Sequence, residues 1–166
     1  MPWVATDNFD SYTAGANLNG GAGGTGWNGN WTQAAGVITT DAAPAGGQGG
    51  NAAHHSEAAA AIYRRAFVAL GTGRMSFRLL TSSTAPNNDM TVRLSVTTTD
   101  KIFVRLSTTG NWQFYNGVDY TTLAAAVANT WVTIDVEIDD VNQPNKARYA
   151  IDGGAQSAWA SANGTW

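Results

Sequence analysis

Apolar and polar side chains alternate through much of the second half of the chain. Val92, Leu94 and Val96 recur at every second position, as do Ile102, Val104 and Leu106, and then Val132, Ile134, Val136 and Ile138. Successive side chains of an extended strand point to opposite faces, so each run has one buried face and one wet face. Turn dipeptides separate the runs: Asp100-Lys101, Gly110-Asn111, Asn116-Gly117 and Asp152-Gly153. Such pairs supply the positive φ angles that tight hairpins need. The pattern predicts an antiparallel meander over 75–153, with strands near 75–81, 90–97, 102–108, 112–116, 118–122, 131–139 and 147–152.

The first half has weaker periodicity. Residues 1–12 predict a short strand anchored by Phe9 and Tyr12. Residues 13–36 predict a Gly/Asn/Ala loop that carries Trp27 and Trp31, and 37–40 another short strand. A second small-residue loop is expected over 41–57. Residues 58–70 contain a run of alanines, but Ile62, Tyr63, Phe67 and Val68 favour a strand, closed by Gly71 and Gly73. An Ala-rich crossover at 124–129 is expected to contain a helical turn. Ten to twelve short strands imply an all-β chain, with two antiparallel sheets stacked as a β-sandwich or jelly roll in one domain over 1–166.

Composition narrows the function classes. Only 13% of residues are charged, 19 are glycine and the net charge is -3. No basic tract is present, which argues against a nucleic-acid partner, because phosphate binding needs clustered Lys and Arg. With no cysteine, disulfides and thiolate metal sites are excluded. No apolar run approaches the roughly 20 residues of a membrane-spanning helix. The N-terminus carries neither a basic nor an apolar leader region. That fits a mature fragment with an added Met, or a chain made in a cytoplasm and released by lysis, as phage virion proteins are.

Asp7-Asn8-Phe9-Asp10-Ser11-Tyr12, then Gly15, Leu18-Asn19-Gly20, Gly26-Trp27 and Trp31, form a distinctive opening. Arg74-Met75-Ser76-Phe77-Arg78-Leu79 follows, then Asn111-Trp112 with Asn116-Gly117, then Trp131-Val132-Thr133-Ile134-Asp135-Val136-Glu137, then Tyr149-Ala150-Ile151-Asp152-Gly153-Gly154. In this order the segments resemble the laminin-G-like jelly rolls of bacterial and phage type within the concanavalin A-like lectin/glucanase superfamily. Such domains usually close with a further strand beside the first. Here the sequence stops at Trp166, soon after Asn163-Gly164, which leaves a short last strand, a truncation or a pairing supplied by a neighbouring subunit.

The resemblance implies where catalysis would sit. Retaining glucanases of the superfamily carry Glu-x-Asp-x-x-Glu, and Glu137-Ile138-Asp139 matches its first half. The third position is Asn142, and an amide cannot deliver a proton, so the expected catalytic set is none. On the alternative reading, Thr133, Asp135, Glu137 and Asp139 are the solvent-facing half of an amphipathic strand. They would pair with Arg78, Arg93 and Arg105 on nearby strands of the same sheet. The lesser alternative is that these arginines line a groove for an acidic sugar.

Calcium is the ion that the resemblance implies. Asp139, Asp140 and Asn142, with Asn145, crowd one turn, and Asp7, Asp10 and Asp152 stand at strand ends. Oxygen donors suit calcium, although Asp and Asn are also the ordinary turn residues. No other cofactor is expected. His54-His55 read as loop histidines, and Ser56 lies in no Gly-x-Ser-x-Gly elbow.

Seven tryptophans remain. Trp27 and Trp31 are the ligand or interface candidates, or else plug one end of the fold, while Trp112 and Trp131 belong on strands in the core. Three function classes follow. The first is a non-catalytic structural or interaction protein on a phage virion surface, capsid-decorating or fibre-type, with the capsid or copies of itself as partner. The second is an extracellular carbohydrate-binding module for cell-surface glycans. The third is a glycoside hydrolase or lyase relative, which Asn142 argues against.

Overall fold

The computed structural model describes residues 5–47, 50–55, 61–67, 72–84, 90–96, 99–115 and 119–161. Every regular element among the described residues is a β-strand: β1 Trp27–Ala35, β2 Thr39–Ala42, β3 Asn51–His54, β4 Ile62–Phe67, β5 Thr72–Leu79, β6 Met90–Val96, β7 Thr99–Leu106, β8 Asn111–Tyr115, β9 Tyr120–Ala125, β10 Val132–Asp139, β11 Lys146–Ile151 and β12 Ala160–Ser161. All pairings are antiparallel. The chain divides into two compact units, Pro2–Ala69 and Leu70–Trp166.

The second unit holds two four-stranded sheets, ordered β12-β11-β10-β5 and β6-β7-β8-β9. Period-two patterning determines their faces. On β10, Val132, Ile134, Val136 and Ile138 are buried; Ile134 and Val136 lie opposite Phe77 and Met75 of β5, and Val136 and Ile138 opposite Tyr149 and Ala147 of β11. On the other sheet, Val104 and Leu106 of β7 face Phe114 and Trp112 of β8, and all four are buried. The Phe114 and Tyr149 rings meet across the two sheets at 4.8 Å. Each fully buried side chain of this size is worth about 1.5–3 kcal/mol.

The expected single meander is divided in the structure. β5 does not pair with β6 as a hairpin; it crosses to lie beside β10. This placement sets Phe77 and Met75 against Ile134 and Val136, a match of apolar faces that local sequence cannot reveal. Asp100-Lys101 is not a turn either: Asp100 pairs with Ser95 inside the β6–β7 ladder. Asn116-Gly117 lies outside the described residues. The helical turn expected in 124–129 is absent: β9 runs on to Ala125, and a tight turn follows in which Thr130 N donates to Val127 O.

Two expected turns hold. Asp152 and Gly153 both take positive φ, 48° and 72°, and Gly154 N donates to Ile151 O at 2.9 Å. Gly110 ends the β7–β8 connection at φ 74°, and its N donates to Ser107 O at 2.9 Å. A methyl at Gly110 would come within 2.0 Å of Thr84 O, whereas one at Gly153 would meet nothing within 4 Å. Gly153→Ala is expected to cost the left-handed strain alone, about 1–2 kcal/mol, and Gly110→Ala distinctly more. Denaturant midpoints of the two variants compare them, and equal losses would show that the close backbone approach at Gly110 carries no energy.

The first unit contains two pairs, β1-β4 and β2-β3. Several expectations change here. Within 1–12, the described residues make only an isolated bridge, Thr6 to Thr25. Trp27 and Trp31 stand on strand β1, not in a loop. The 41–57 loop contains β3, whose Asn-Ala-Ala-His sequence has little strand propensity. Its start is fixed from outside, because Asp10 Oδ1 accepts Gly50 N at 2.7 Å and Asn51 N at 3.1 Å. The strand expected within 58–70 is present as β4.

Candidate functional site

The opening motif of the chain folds around one carboxylate. Asp7 Oδ1 accepts Phe9 N at 3.0 Å and holds Phe9 at φ 64°. The other oxygen, Oδ2, accepts the Tyr12 hydroxyl at 2.7 Å, Trp31 Nε1 at 3.0 Å and the Arg65 guanidinium at 2.6 Å. The Asp7 and Arg65 side chains are 2% and 3% exposed, so this ion pair is buried. Arg65 also lies 5.1 Å from the Trp27 ring and 5.7 Å from the Trp31 ring, and its Nε donates to Gly29 O at 3.1 Å. Phe9 stacks beside Trp31 at 6.2 Å. Burial pushes the Tyr12 hydroxyl above its ordinary range, and its hydrogen bond to Asp7 adds to the rise, so it stays a donor. Trp27 and Trp31 are thus brought together, with their indole N–H groups given to Thr6 O and Asp7.

A second cluster lines the polar face of β10. Arg148 donates from Nη2 to both Glu137 carboxylate oxygens, at 3.0 and 3.1 Å, and from Nε at 3.3 Å. Arg74 pairs with Asp135 at 2.5 Å. Asp139 accepts Asn142 N at 3.1 Å, Asn142 Nδ2 at 2.9 Å and Thr72 Oγ1 at 3.3 Å. Two expectations fail here. Asp135 does not face solvent; it is only 5% exposed, and Arg74 neutralises it. The partners are also Arg74 and Arg148, not the expected arginines. Arg93 and Arg105 belong to β6 and β7 of the other sheet, and the Arg93 side chain lies outside the described residues. Arg78 does share the sheet with β10; it stands opposite Thr133, its guanidinium 5.3 Å from the Trp131 ring.

Asp139, Asp140 and Asn142 lock the β10–β11 turn. Besides the Asp139–Asn142 bonds, Asp140 Oδ1 accepts Asn145 N at 2.8 Å, where Asn145 has φ 58°. Among the described residues, no group of three or more His, Cys, Asp or Glu side chains is placed to hold a metal ion. The Asn142 side-chain and backbone donors hold the Asp139 carboxyl below the usual carboxylate range. A depressed pKa gives stability that is present above the unfolded value and is lost as pH falls through the folded value. Asp139→Asn is therefore expected to destabilise at neutral pH and to approach the parent only once the pH has fallen below the depressed folded value of Asp139. Urea melts along a pH series check this, and a pH-independent difference would contradict it.

A third cluster was not anticipated. Cross-strand pairing aligns Phe103, Tyr115 and Tyr120 as one row over β7, β8 and β9. Phe103 stacks on Tyr115 at 4.5 Å with planes 12° apart, and Tyr115 lies 5.4 Å from Tyr120. In the adjoining row, Arg105 stands opposite Gln113; its guanidinium sits 3.3 Å from the Tyr120 ring centre, and its Nε donates to Gln113 Oε1 at 2.8 Å. Tyr120 remains 38% exposed. The signal was present in the sequence: Phe103 and Arg105 are the off-beat positions of the β7 run, and Tyr115 and Tyr120 flank Asn116-Gly117. Only the register unites them on one face.

His54 ends β3, and its Nδ1 lies 2.8 Å from Asp41 Oδ2, which also accepts Thr39 Oγ1 at 2.7 Å. Those bonds, that from Thr39 foremost, hold the Asp41 carboxyl below its ordinary range. The chain matches no protein-family model, no curated protein and no solved structure.

Proposed function

We propose that the chain is a non-catalytic structural and interaction module, a two-sheet β-sandwich of jelly-roll type that is displayed on a virion surface and held by capsid or by copies of itself. One observation carries the non-catalytic part: the β10 carboxylates are engaged as structural acceptors. Glu137 would be the nucleophile of a retaining mechanism, yet Arg148 grips both its oxygens. Asn142 spends its amide on Asp139 and carries no proton to transfer. The sandwich rests on the two buried sheet faces of the second unit and the Phe114–Tyr149 contact. The virion setting rests on low charge and the sequence resemblance.

The interaction surface in this reading is the aromatic and arginine face of β7, β8 and β9. Sedimentation velocity over a concentration series is expected to reveal species heavier than the 17.4 kDa chain. Tyr120→Ala is expected to shift them towards monomer. A monomer at every concentration overturns the self-association. Reducing ends released from a β-glucan, and lost in Glu137→Gln, overturn the non-catalytic assignment.

Glycan binding is the second reading, and the same face favours it. Tyr115, Tyr120, Arg105 and Gln113 present ring edges, hydroxyls, a guanidinium and an amide, which suits a hydroxyl-rich ligand. Trp27 and Trp31 are less suited, since Asp7, Arg65 and Thr6 already engage them. On a glycan array, Tyr120→Ala should abolish binding that Trp31→Phe retains, and the reverse order would return the site to β1.

A further inference from the structure

Asn-Gly occurs four times, at Asn19, Asn28, Asn116 and Asn163. In this dipeptide the glycine amide nitrogen can attack the asparagine Cγ, because no Cβ on the glycine blocks the approach. The new N–Cγ bond forms as the Cγ–NH2 bond breaks, and the amide proton leaves with the amine as ammonia. Water then opens the cyclic imide at either carbonyl and yields aspartate or isoaspartate. No oxidant or enzyme is needed. Whether it happens depends on whether the backbone amide and the side chain are free to meet.

The two described copies differ sharply. At Asn19 both reacting groups are held: Gly20 N donates to Trp31 O at 2.8 Å, and Asn19 Oδ1 accepts Gln33 N at 3.0 Å. Asn28 is exposed, and no hydrogen bond to its side chain occurs among the described residues. It also sits where the β1–β4 register breaks, between Asn28 and Thr32, so Gly29 has no register partner on β4. Gly29 has φ 100°, and a methyl there would meet nothing within 4 Å. The geometry points to Asn28 as a self-modification site of the folded protein, with Asn19 protected by the fold.

The site has a structural readout. Gly29 O accepts Arg65 Nε at 3.1 Å, and Arg65 is the buried partner of Asp7. Isoaspartate at 28 adds one main-chain carbon directly before Gly29 and displaces that carbonyl. Ageing at Asn28 is therefore coupled to the buried ion pair.

The test is peptide mapping by mass spectrometry after incubation in warm, mildly alkaline buffer, with isoaspartyl methyltransferase labelling to identify the product. In the folded protein Asn28 is expected to convert roughly tenfold or more faster than Asn19, the factor expected when two hydrogen bonds must first open. In concentrated urea the two should convert at similar rates, since their dipeptides are the same. Gly29→Ala should slow conversion at 28 alone. The proposal fails if Asn19 keeps pace with Asn28 in the folded protein, or if Asn28 stays intact there while both convert in urea. Isoaspartate at 28 should also lower the melting temperature, and an unchanged value would refute the coupling to Arg65.

Discussion

Arg65→Ala is expected to destabilise the first unit by about 3–5 kcal/mol, the usual cost of removing one partner from a buried ion pair. Arg65 is 3% exposed and Asp7 2%, so the abandoned carboxylate could not be rehydrated in place. The loss is larger than the Coulombic attraction alone, because Arg65 also packs against Trp27 and Trp31 and donates to Gly29 O. Asp7→Ala should cost as much for the opposite reason: Tyr12, Trp31 and Arg65 would all lose their acceptor. The double variant should be less damaged than the sum of the two, since it leaves no lone buried charge. Denaturant melts followed by tryptophan fluorescence measure all three. Strict additivity would mean that the pair contributes no coupling energy.

Phe114→Ala is expected to cost about 3–5 kcal/mol in the second unit. Phe114 is 0% exposed and meets Tyr149 of the other sheet at 4.8 Å, so truncation opens a cavity and removes an inter-sheet ring contact. Tyr120→Ala is the control. It removes an aromatic ring of similar size from the wet face of the same sheet, where Tyr120 is 38% exposed. Its cost should be well below that of Phe114→Ala in calorimetric or denaturant unfolding. Equal losses would mean that the aromatic row stabilises the fold as strongly as the buried core, and would weaken its assignment as an interaction surface.

The second unit was legible from sequence where burial is one-sided. Val132, Ile134, Val136 and Ile138 alternate because only one face of β10 is apolar, and that alternation places the strand to within a residue. The pattern cannot say which strand lies alongside. It was silent on the crossover of β5 to β10, and so assigned Arg93 and Arg105 to the wrong sheet. It also treated Asp135 as exposed, since the neutralising Arg74 lies 61 residues earlier in the chain. In the first unit the difficulty is different. Apart from Trp27 and Trp31, β1 and β3 consist of small or polar residues with no period-two apolar pattern, and their order depends on Asp7 and Asp10. The opening motif flagged those carboxylates as part of a resemblance, but only the fold reveals them as acceptors for groups up to 58 residues away.

The clasp between Asp7 and Arg65 also sets a limit on how this protein can be shortened. A fragment beginning downstream of Asp7 would strand three donors at a stroke and leave a cation sealed among indole rings. Any excised version of the first unit must therefore start upstream of that aspartate and run beyond β4, however dispensable the glycine-laden stretch before β1 looks on paper.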